Sequence, residues 1–363
     1  MKEERISSYQ LTMVIAAIFL GSGIALNAAN DFGADAWYGT LVSIATGLFY
    51  AGITAALAIL HPGKALVAIL VDCFGVAAGK FLAFGYMLMS MWLSSVVVLN
   101  FSFYSNTTNY PETPLLFISI CYMLVIAFLL KIGLEAMARI SEVLNIIYFL
   151  ITFLTVATLF TEFHPDAFMP MFKNGIVNVT IGGMKGSLLP FSEIFLTLNL
   201  IPNVNDKKKI ARCAFLGVLI GGFSFMLFAL RNVSVLGVEM AARNVYPSAK
   251  VFRLMPGLDV IPLLDINVII SGVLKVAVSM YSQIKILADI FGLKDYKILV
   301  LPTAALDTAL STTLHHDILT MLFSDSKIVP LVYIPVFVVI PFIMLIVSLV
   351  RKSKAAPAPE APK

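Results

Sequence analysis

The sequence predicts an all-α polytopic membrane protein of about ten transmembrane helices. Of its 363 residues, 60% are hydrophobic and only 13% are charged, and the mean hydropathy is +0.94. The apolar residues fall into repeated segments that are long enough to cross about 30 Å of hydrocarbon. We therefore expect one integral membrane domain over residues 1–350 and a disordered, Pro/Ala-rich cytoplasmic tail at 351–363.

The individual spans follow from the apolar runs and from local helix signals. Ser7 and Gln10 have capping-box spacing before the first span, and Thr113 with Pro114 supplies an N-cap and a first-turn proline for the fourth. Residues 62–80 are apolar at helical intervals but too interrupted to span, which predicts an interfacial helix. The expected spans are 9–30, 36–60, 81–104, 114–131, 138–161, 179–202, 210–232, 261–289, 297–313 and 329–350.

The distribution of basic residues predicts that both termini are cytoplasmic. An even number of spans places the termini on one side, and most Lys and Arg residues then fall in the inner segments. The short outer loops near Asp31 and Tyr110 carry none. The run Lys207–Lys209 is read as a topology anchor, with an anionic-lipid contact or a subunit docking patch as alternatives.

Several functional classes find no support in the sequence. The three cysteines are scattered on apolar segments without metal-ligand spacing, so we expect small buried hydrophobes. The string His315-His316-Asp317 fits a solvated turn better than a metal site. No P-loop, GxSxG or HExxH pattern is present, no basic stripe suggests nucleic acid, and no cleavable signal precedes the first span. We therefore expect neither an enzyme nor a bound metal or cofactor.

Two interruptions in the apolar segments point to a binding site. Gly21-Ser22-Gly23 lies inside the first span, and the stretch from Gly182 to Glu193 lies inside the sixth. Broken membrane helices free backbone groups that hydrocarbon cannot satisfy, so they are tolerated where the chain lines a cavity. The alternative is a small-residue patch that lets two helices pack closely. Because the breaks begin each half, they predict two inverted repeats, at about 8–161 and 178–350.

Several strings follow one another along the chain in a characteristic order. They are ISSYQL followed by LGSGI, then YPETPLLF, GLEAMARISEVL, FMPMFKNGI, FSEIFLTLNLIPNVNDKKK and YPSAKVFRL. In order and spacing these strings resemble the B subunits of spore germination receptors, within the amino acid, polyamine and organocation transporter superfamily. The resemblance covers almost the whole chain. It implies a leucine-transporter-type permease with broken helices 1 and 6 and a small-molecule pocket between spans one, three, six and eight.

This resemblance implies a role in sensing germinants, often amino acids, in the inner membrane of dormant spores. The partners that it implies are an A-type subunit and a C-type lipoprotein. Two departures prevent the ligand from being copied from relatives. The first span ends in ALNAANDFG where relatives have a proline-containing end, and the eighth carries Asp265 and Lys275 where relatives commonly have a tryptophan and apolar residues.

Charged residues within the spans are the strongest site candidates. We expect Lys275 to face the bundle interior with Glu193 as a possible counter-ion, because an unpaired ammonium is costly there. Asp265, about 15 Å away along the helix, is too far for a direct pair. Lys275 either replaces a coupling cation, contacts an acidic ligand, forms a buried structural pair, or extends its ammonium toward the membrane surface as a snorkelling lysine. Glu193 either lines or gates the pocket, or caps broken backbone.

Free backbone groups at the breaks suit a ligand carboxylate, and Glu193 or nearby carbonyls suit an ammonium. An amino-acid-like ligand is favoured, although a neutral sugar or nucleoside would also fit the hydroxyl and amide groups. The candidate ligand-binding residues are Gly21, Ser22, Gly23, Ile24, Ser94, Phe191, Ser192, Glu193, Asn267, Ser271 and Lys275.

Three functional classes follow. The first is a ligand-sensing receptor subunit, and the second is a working permease for an amino acid or similar solute. The third, an ion-conducting pore, is disfavoured because rings of charged residues are absent from the sequence pattern.

Overall fold

The computed structural model describes residues 4–23, 27–159, 162–173, 175–254 and 261–355, and these are almost entirely helical. The first half of the chain begins with two helices in place of one continuous span. A second short helix lies between the second and the third long helices. The helices of this half are α1 (Ser8–Gly23), α2 (Ala28–Phe32), α3 (Ala36–Leu60), α4 (Leu66–Phe74), α5 (Val76–Thr108), α6 (Leu115–Ile132) and α7 (Leu134–Thr158).

The second half repeats the pattern of an interrupted first span. Helix α8 (Ile176–Gly186) is followed by α9 (Leu188–Phe191) and by a 3-10 segment over Ser192–Asn199. The last span is a bent stack in which a π-helical segment, Ile334–Val339, joins two α-helical parts. The remaining helices are α10 (Ile210–Arg243), α11 (Pro247–Arg253), α12 (Ile261–Phe291), α13 (Val300–Thr313), α14 (Ile318–Lys327), α15 (Val329–Tyr333) and α16 (Ile340–Ala355).

In the part of the chain that the structure describes, 7 stretches are long and apolar enough to cross a membrane. The other three expected spans are the shorter ones. Helix α1 has 16 residues, α13 has 14, and the sixth span is divided between α8 and α9. These helices are too short to be recognised by length and composition alone, which therefore find fewer than ten spans among the described residues.

Helices α1 and α12 form the centre of the bundle. Helix α12 packs along α5 and α1, and α1 packs in turn along α10. Apolar side chains from these helices fill the interior. A charged side chain there would lie away from water, so few charges are expected on the inward faces of the spans. Any charged group on the facing sides of α1 and α12 is consequently removed from both water and lipid.

The first described residues, from Glu4, and the end of α16 lie on one face of the bundle, which we call the terminal face. Here Ile6 forms a parallel β-bridge with Val204, and Glu4 contacts Lys297 at 3.3 Å. Near the other end of the chain, the Arg351 guanidinium donates to the Asp72 carbonyl. These contacts tie the N-terminal segment and α16 to the loops on the same face.

Asp72 on α4 also links this short helix to the end of α3. Its carboxylate contacts His61 Nδ1 at 3.0 Å and Lys64 Nζ at 2.6 Å. Burial raises the pKa of Asp72, but the hydrogen bonds and charges of Lys64 and His61 outweigh burial and hold the pKa below its ordinary value. The interfacial helix expected at 62–80 is thus present as Leu66–Phe74, whereas residues 76–80 belong to the third span.

The largest boundary error concerns the tenth span. The sequence placed 314–328 in a connection, but a helix already begins at Ile318. Asp317 caps it by accepting from the Thr320 amide at 2.8 Å, and the Thr320 hydroxyl approaches the Asp317 amide in a capping box. The connection after α13 is therefore short, and residues up to Lys327 belong to the helical stack.

One expectation about the cysteines was also wrong. Cys73 and Cys213 are buried as expected, but Cys121 on α6 is exposed. All three are free thiols. Cys121 thus faces outward from the bundle at a position that a reagent can reach.

Candidate functional site

The first interruption was predicted at the Gly-Ser-Gly string, but it does not lie within that string. Gly21, Ser22 and Gly23 are helical and complete α1, and the chain resumes helical form at α2. Asn27 caps α2 by accepting from the Ala29 amide at 3.2 Å, while its own amide group donates to the Ala241 carbonyl at 2.7 Å. The candidate Ile24 lies outside the described residues.

Gly21 permits a close approach between α1 and α12. A Cβ atom at this position would lie 2.7 Å from Lys275 Cβ and 2.8 Å from the Ser271 carbonyl oxygen. At Gly23 the nearest atom, on Phe228, would be 3.4 Å away, which is ordinary contact. Gly21 is therefore required by packing, in agreement with the small-residue alternative, and Gly23 is not.

The second interruption has a local cause in the sequence. Leu189 leaves the helical region at φ −101° and ψ 100°, and it immediately precedes Pro190. The proline ring disfavours the α conformation of the residue before it, so the helix breaks at this point. The chain continues as the 3-10 segment that carries Glu193. The break turns the Glu193 carboxylate toward α12.

The predicted pairing of Lys275 with Glu193 is confirmed. Lys275 Nζ lies 2.8 Å from Glu193 Oε2, and the two side chains are 4% and 0% exposed. The contact is an ion pair between two buried groups of opposite charge. The Lys275 ammonium also donates to Ser22 Oγ, and the Tyr333 hydroxyl donates to Glu193 Oε1 at 3.3 Å. Four segments of the chain meet at this ion pair.

A small cavity of about 60 Å³ lies beside the ion pair, between α1, α5, α12 and α14. Lys275 and Ser22 line one side, and Trp92 and Leu189 contribute apolar surface. Asp325 of α14 also lines this cavity, and its Oδ1 is buried without a hydrogen-bond partner among the described residues. The cavity thus brings an ammonium and a carboxylate together in a space that holds only a few water molecules.

Asp325 is the site residue that the sequence analysis missed. Its omission follows from the assignment of 314–328 to a connection. The spacing of Asp317 and Thr320 is a capping-box signal that would have extended the last span to include it.

Other candidates lie away from the cavity. Ser94 donates to Asp307 Oδ2 of α13 at 2.5 Å, and Asn267 donates to Thr152 Oγ1 of α7 at 3.2 Å. Both side chains therefore join neighbouring helices, a common use of polar groups inside bundles. Neither residue is part of the cavity lining.

The remaining candidates serve the packing around the site. Phe191 is fully buried, and its ring lies against Gly47 and 5.1 Å from the Phe19 ring. Ser192 Oγ donates to the Leu188 carbonyl at 2.6 Å, and Ser271 Oγ donates to the Val268 carbonyl at 3.1 Å. Of these, only Ser271 contacts the site, through the backbone oxygen that faces Gly21.

Cavity size alone would place the site elsewhere. A cavity of about 720 Å³ lies near the end of α10, lined in part by Glu239, Met240 and Arg243. Glu239 and Arg243 there are 88% and 82% exposed and form a surface ion pair. The smaller cavity is the better candidate because Lys275 and the Oδ1 atom of Asp325 are buried there, and interactions of buried charges with a ligand are stronger than those at an exposed surface.

Comparison with known proteins agrees with this architecture. A sequence model of the family described as "Spore germination protein" matches residues 5–317. The chain is 26% identical to spore germination protein KB of Bacillus subtilis (strain 168) over 364 residues, which cover 98% of this chain and 97% of that protein.

Solved transporter structures share the fold at low sequence identity. A nucleobase-cation-symport-1 family transporter, closed with bromovinylhydantoin bound, superposes with a TM-score of 0.71 at 12% identity, covering 94% of this chain and 78% of that chain. A Na⁺-coupled sialic acid symporter in a substrate-bound outward-open state gives a TM-score of 0.66 at 9% identity, covering 99% and 92%. The fold is that of the leucine-transporter type, with interrupted first and sixth spans. The chain is an integral membrane protein and belongs to the spore germination protein family.

Proposed function

We propose that this chain is the membrane subunit of a spore germinant receptor and that it binds a small amino-acid-like germinant between Lys275 and Asp325. The observation that carries the proposal is the convergence of these two opposite charges on one small cavity beside an interrupted helix. Ligand sites in this kind of fold lie near the membrane midplane at such interruptions. The family membership supports the role in germination.

The hydrogen-bonding capacity of Lys275 leaves room for a ligand carboxylate. An ammonium carries three N–H donors. Ser22 accepts one, and Glu193 lies against the ammonium as its counter-ion, so a donor remains for the cavity. Ser22 and Glu193 also fix the position of the ammonium. A ligand carboxylate would then bind a charge that the protein already holds in place.

Asp325 supplies the complementary half of the recognition. Its buried Oδ1 lacks a hydrogen-bond donor among the described residues, and Lys275 lines the same cavity. A ligand ammonium would provide the missing donor. A neutral sugar or nucleoside would leave the Asp325 charge without a counter-ion, which is costly inside a membrane protein. This comparison favours a zwitterion over the neutral alternatives.

The volume of the cavity ties binding to a conformational change. About 60 Å³ is well below the ~300 Å³ at which small-molecule pockets begin. An amino acid therefore binds a state in which the surrounding helices have moved apart. A ligand with higher affinity for that state shifts the population toward it, and this shift is the proposed signal.

The proposed assembly includes an A-type subunit and a C-type lipoprotein in the inner membrane of the spore, with both termini cytoplasmic. The exposed run Lys207–Lys209 lies on the terminal face, where Lys207 Nζ would lie 2.6 Å from a Cβ atom at Gly63. The orientation rests on the excess of basic residues in the segments on that side.

A working permease is the second candidate, and the superposition on two solute symporters favours it. Here the Lys275 ammonium, held between α1, α12 and Glu193, would take the place of a coupling cation. Ligand binding would then need no sodium. Accumulation of an amino acid in vesicles containing this chain alone would establish the permease.

The test is a thermal-shift screen of the purified protein against the standard L-amino acids, each compared with its methyl ester and its N-acetyl derivative. The proposal predicts stabilisation by one or a few free amino acids, with both blocked forms at least 10-fold weaker. Stabilisation by sugars or nucleosides in place of amino acids would overturn the assignment of the ligand class.

A further inference from the structure

A second cavity opens on the outer surface of the bundle between α5, α6 and α12. Its volume is about 530 Å³, within the range of small-molecule sites. Tyr104 and Asp265 line it at one end, and Phe117, Cys121 and Val125 line the side formed by α6. Asp265 is ten residues from Lys275, or about 15 Å along α12, so this cavity is separate from the site proposed above.

Among the described residues, Asp265 has no cationic partner. Its Oδ1 accepts from the Tyr104 hydroxyl at 2.8 Å, and no described Lys, Arg or His side chain forms an ion pair with it. In the part of the chain that the structure describes, this carboxylate in the cavity wall is thus without a counter-ion.

Apolar side chains of both α6 and α12 line the lipid-facing side of this cavity. Phe117 is 60% exposed, Val125 54% and Ile269 47%. In a membrane protein these outward side chains contact acyl chains, so a molecule can enter from the bilayer with its apolar body. Its charged end would then reach Asp265. Long charged side chains near membrane boundaries extend toward polar partners in the same way.

We propose that this cavity is a second ligand site and that it binds an amphiphilic primary amine, with the ammonium on Asp265 and the apolar chain between α6 and α12. Charge complementarity selects the amine, because an alcohol or an anionic amphiphile leaves the carboxylate unpaired or repelled. Tyr104 keeps the carboxylate in position by its hydrogen bond.

Cys121 provides a direct measure of occupancy. It lines the cavity and is exposed, whereas Cys73 and Cys213 are buried. A membrane-permeant maleimide should therefore label the folded protein at Cys121, and Cys121→Ser identifies that signal. An amine bound in the cavity covers the thiol and slows its labelling.

The experiment measures the labelling rate of Cys121 in nanodiscs as decylamine is titrated at pH 7, with decanol as the uncharged probe of equal chain length. We expect saturable protection by decylamine and, for Asp265→Asn, a concentration requirement at least 10-fold higher. The matched control is Asp289→Asn, which removes an acid from the same helix far from the cavity and should leave protection unchanged.

Ile269→Trp is a second variant, which keeps Asp265 and fills the lipid side of the cavity. It should reduce protection by decylamine in protein that remains monodisperse. Equal protection by decanol and decylamine, equal protection in wild type and Asp265→Asn, or protection that does not saturate would each overturn the proposal.

Discussion

Replacing Lys275 by methionine isolates the energetic role of the buried ion pair. The substitution keeps most of the side-chain volume but leaves Glu193, which is fully buried, without its counter-ion. Removing one partner of a buried pair costs about 3–5 kcal/mol. At roughly 2 °C per kcal/mol, the scale for chains longer than about 150 residues, the unfolding temperature should fall by about 6–10 °C.

The double variant Lys275→Met/Glu193→Gln removes both charges and should recover more than half of this loss. Replacing a buried pair by neutral groups is often close to neutral in stability. Lys285→Met is the matched control. Lys285 pairs with Asp289 on the same helix at 2.5 Å, but both side chains are about a quarter exposed, so its loss should shift the unfolding temperature by less than about 2 °C.

The assay follows unfolding by the reaction of buried thiols with a fluorogenic maleimide. In a Cys121→Ser background only Cys73 and Cys213 remain, and both become reactive when the bundle opens. Two results would show that the ion pair does not stabilise the protein in this way. In one, Lys275→Met unfolds at the wild-type temperature; in the other, the double variant loses as much stability as the two single variants lose together.

Three further predictions concern packing, capping and pH. Gly21→Ala should destabilise the protein by about 1–3 kcal/mol, because its Cβ meets Lys275 at 2.7 Å, whereas Gly85→Ala, with no atom within 4 Å, should be neutral or slightly stabilising in the same thiol assay. Asp317→Ala should cost about 0.5–2 kcal/mol by removing the α14 cap, and weaker ligand binding through Asp325 should accompany it; unchanged hydrogen exchange in α14 would contradict this. Because the folded-state pKa of Asp72 is depressed, its contribution to stability is present above the unfolded value near 3.8 and is lost as pH falls through the lower folded pKa. Asp72→Asn should therefore lose less stability than wild type as the pH becomes acidic. Identical profiles of stability against pH for the two proteins would refute this role of Asp72.

The elements that sequence predicted best were those with a local cause. Pro190 dictates the non-helical conformation of Leu189, so the second break could be located from the sequence. The cost of an unpaired ammonium in a membrane predicted that Lys275 needed an acid, and Glu193 supplies it. These inferences needed only short-range sterics or the energetics of a single charge.

The parts that failed depend on contacts between distant segments. Ser94 and Asn267 are as polar and as central as Ser22, yet they bond to Asp307 and Thr152 because of how α5 and α12 are rotated in the bundle. Helix rotation is set by packing against several neighbours, which the sequence periodicity of an almost uniformly apolar helix does not reveal. Asp325 was missed for a different reason, since its local capping signal was present but assigned to a loop.

The central claim is that Lys275 and Asp325 recognise the two ends of a zwitterion. The most direct test measures equilibrium binding of the most stabilising amino acid, and of its N-acetyl derivative, to wild type and to Asp325→Asn. Loss of the ammonium partner should weaken the free amino acid by at least about 10-fold, since a hydrogen bond to a charged group contributes about 1.5–3 kcal/mol. The N-acetyl derivative, which lacks the ammonium, should bind both proteins equally weakly. Equal affinity of the free amino acid for wild type and Asp325→Asn would contradict the account.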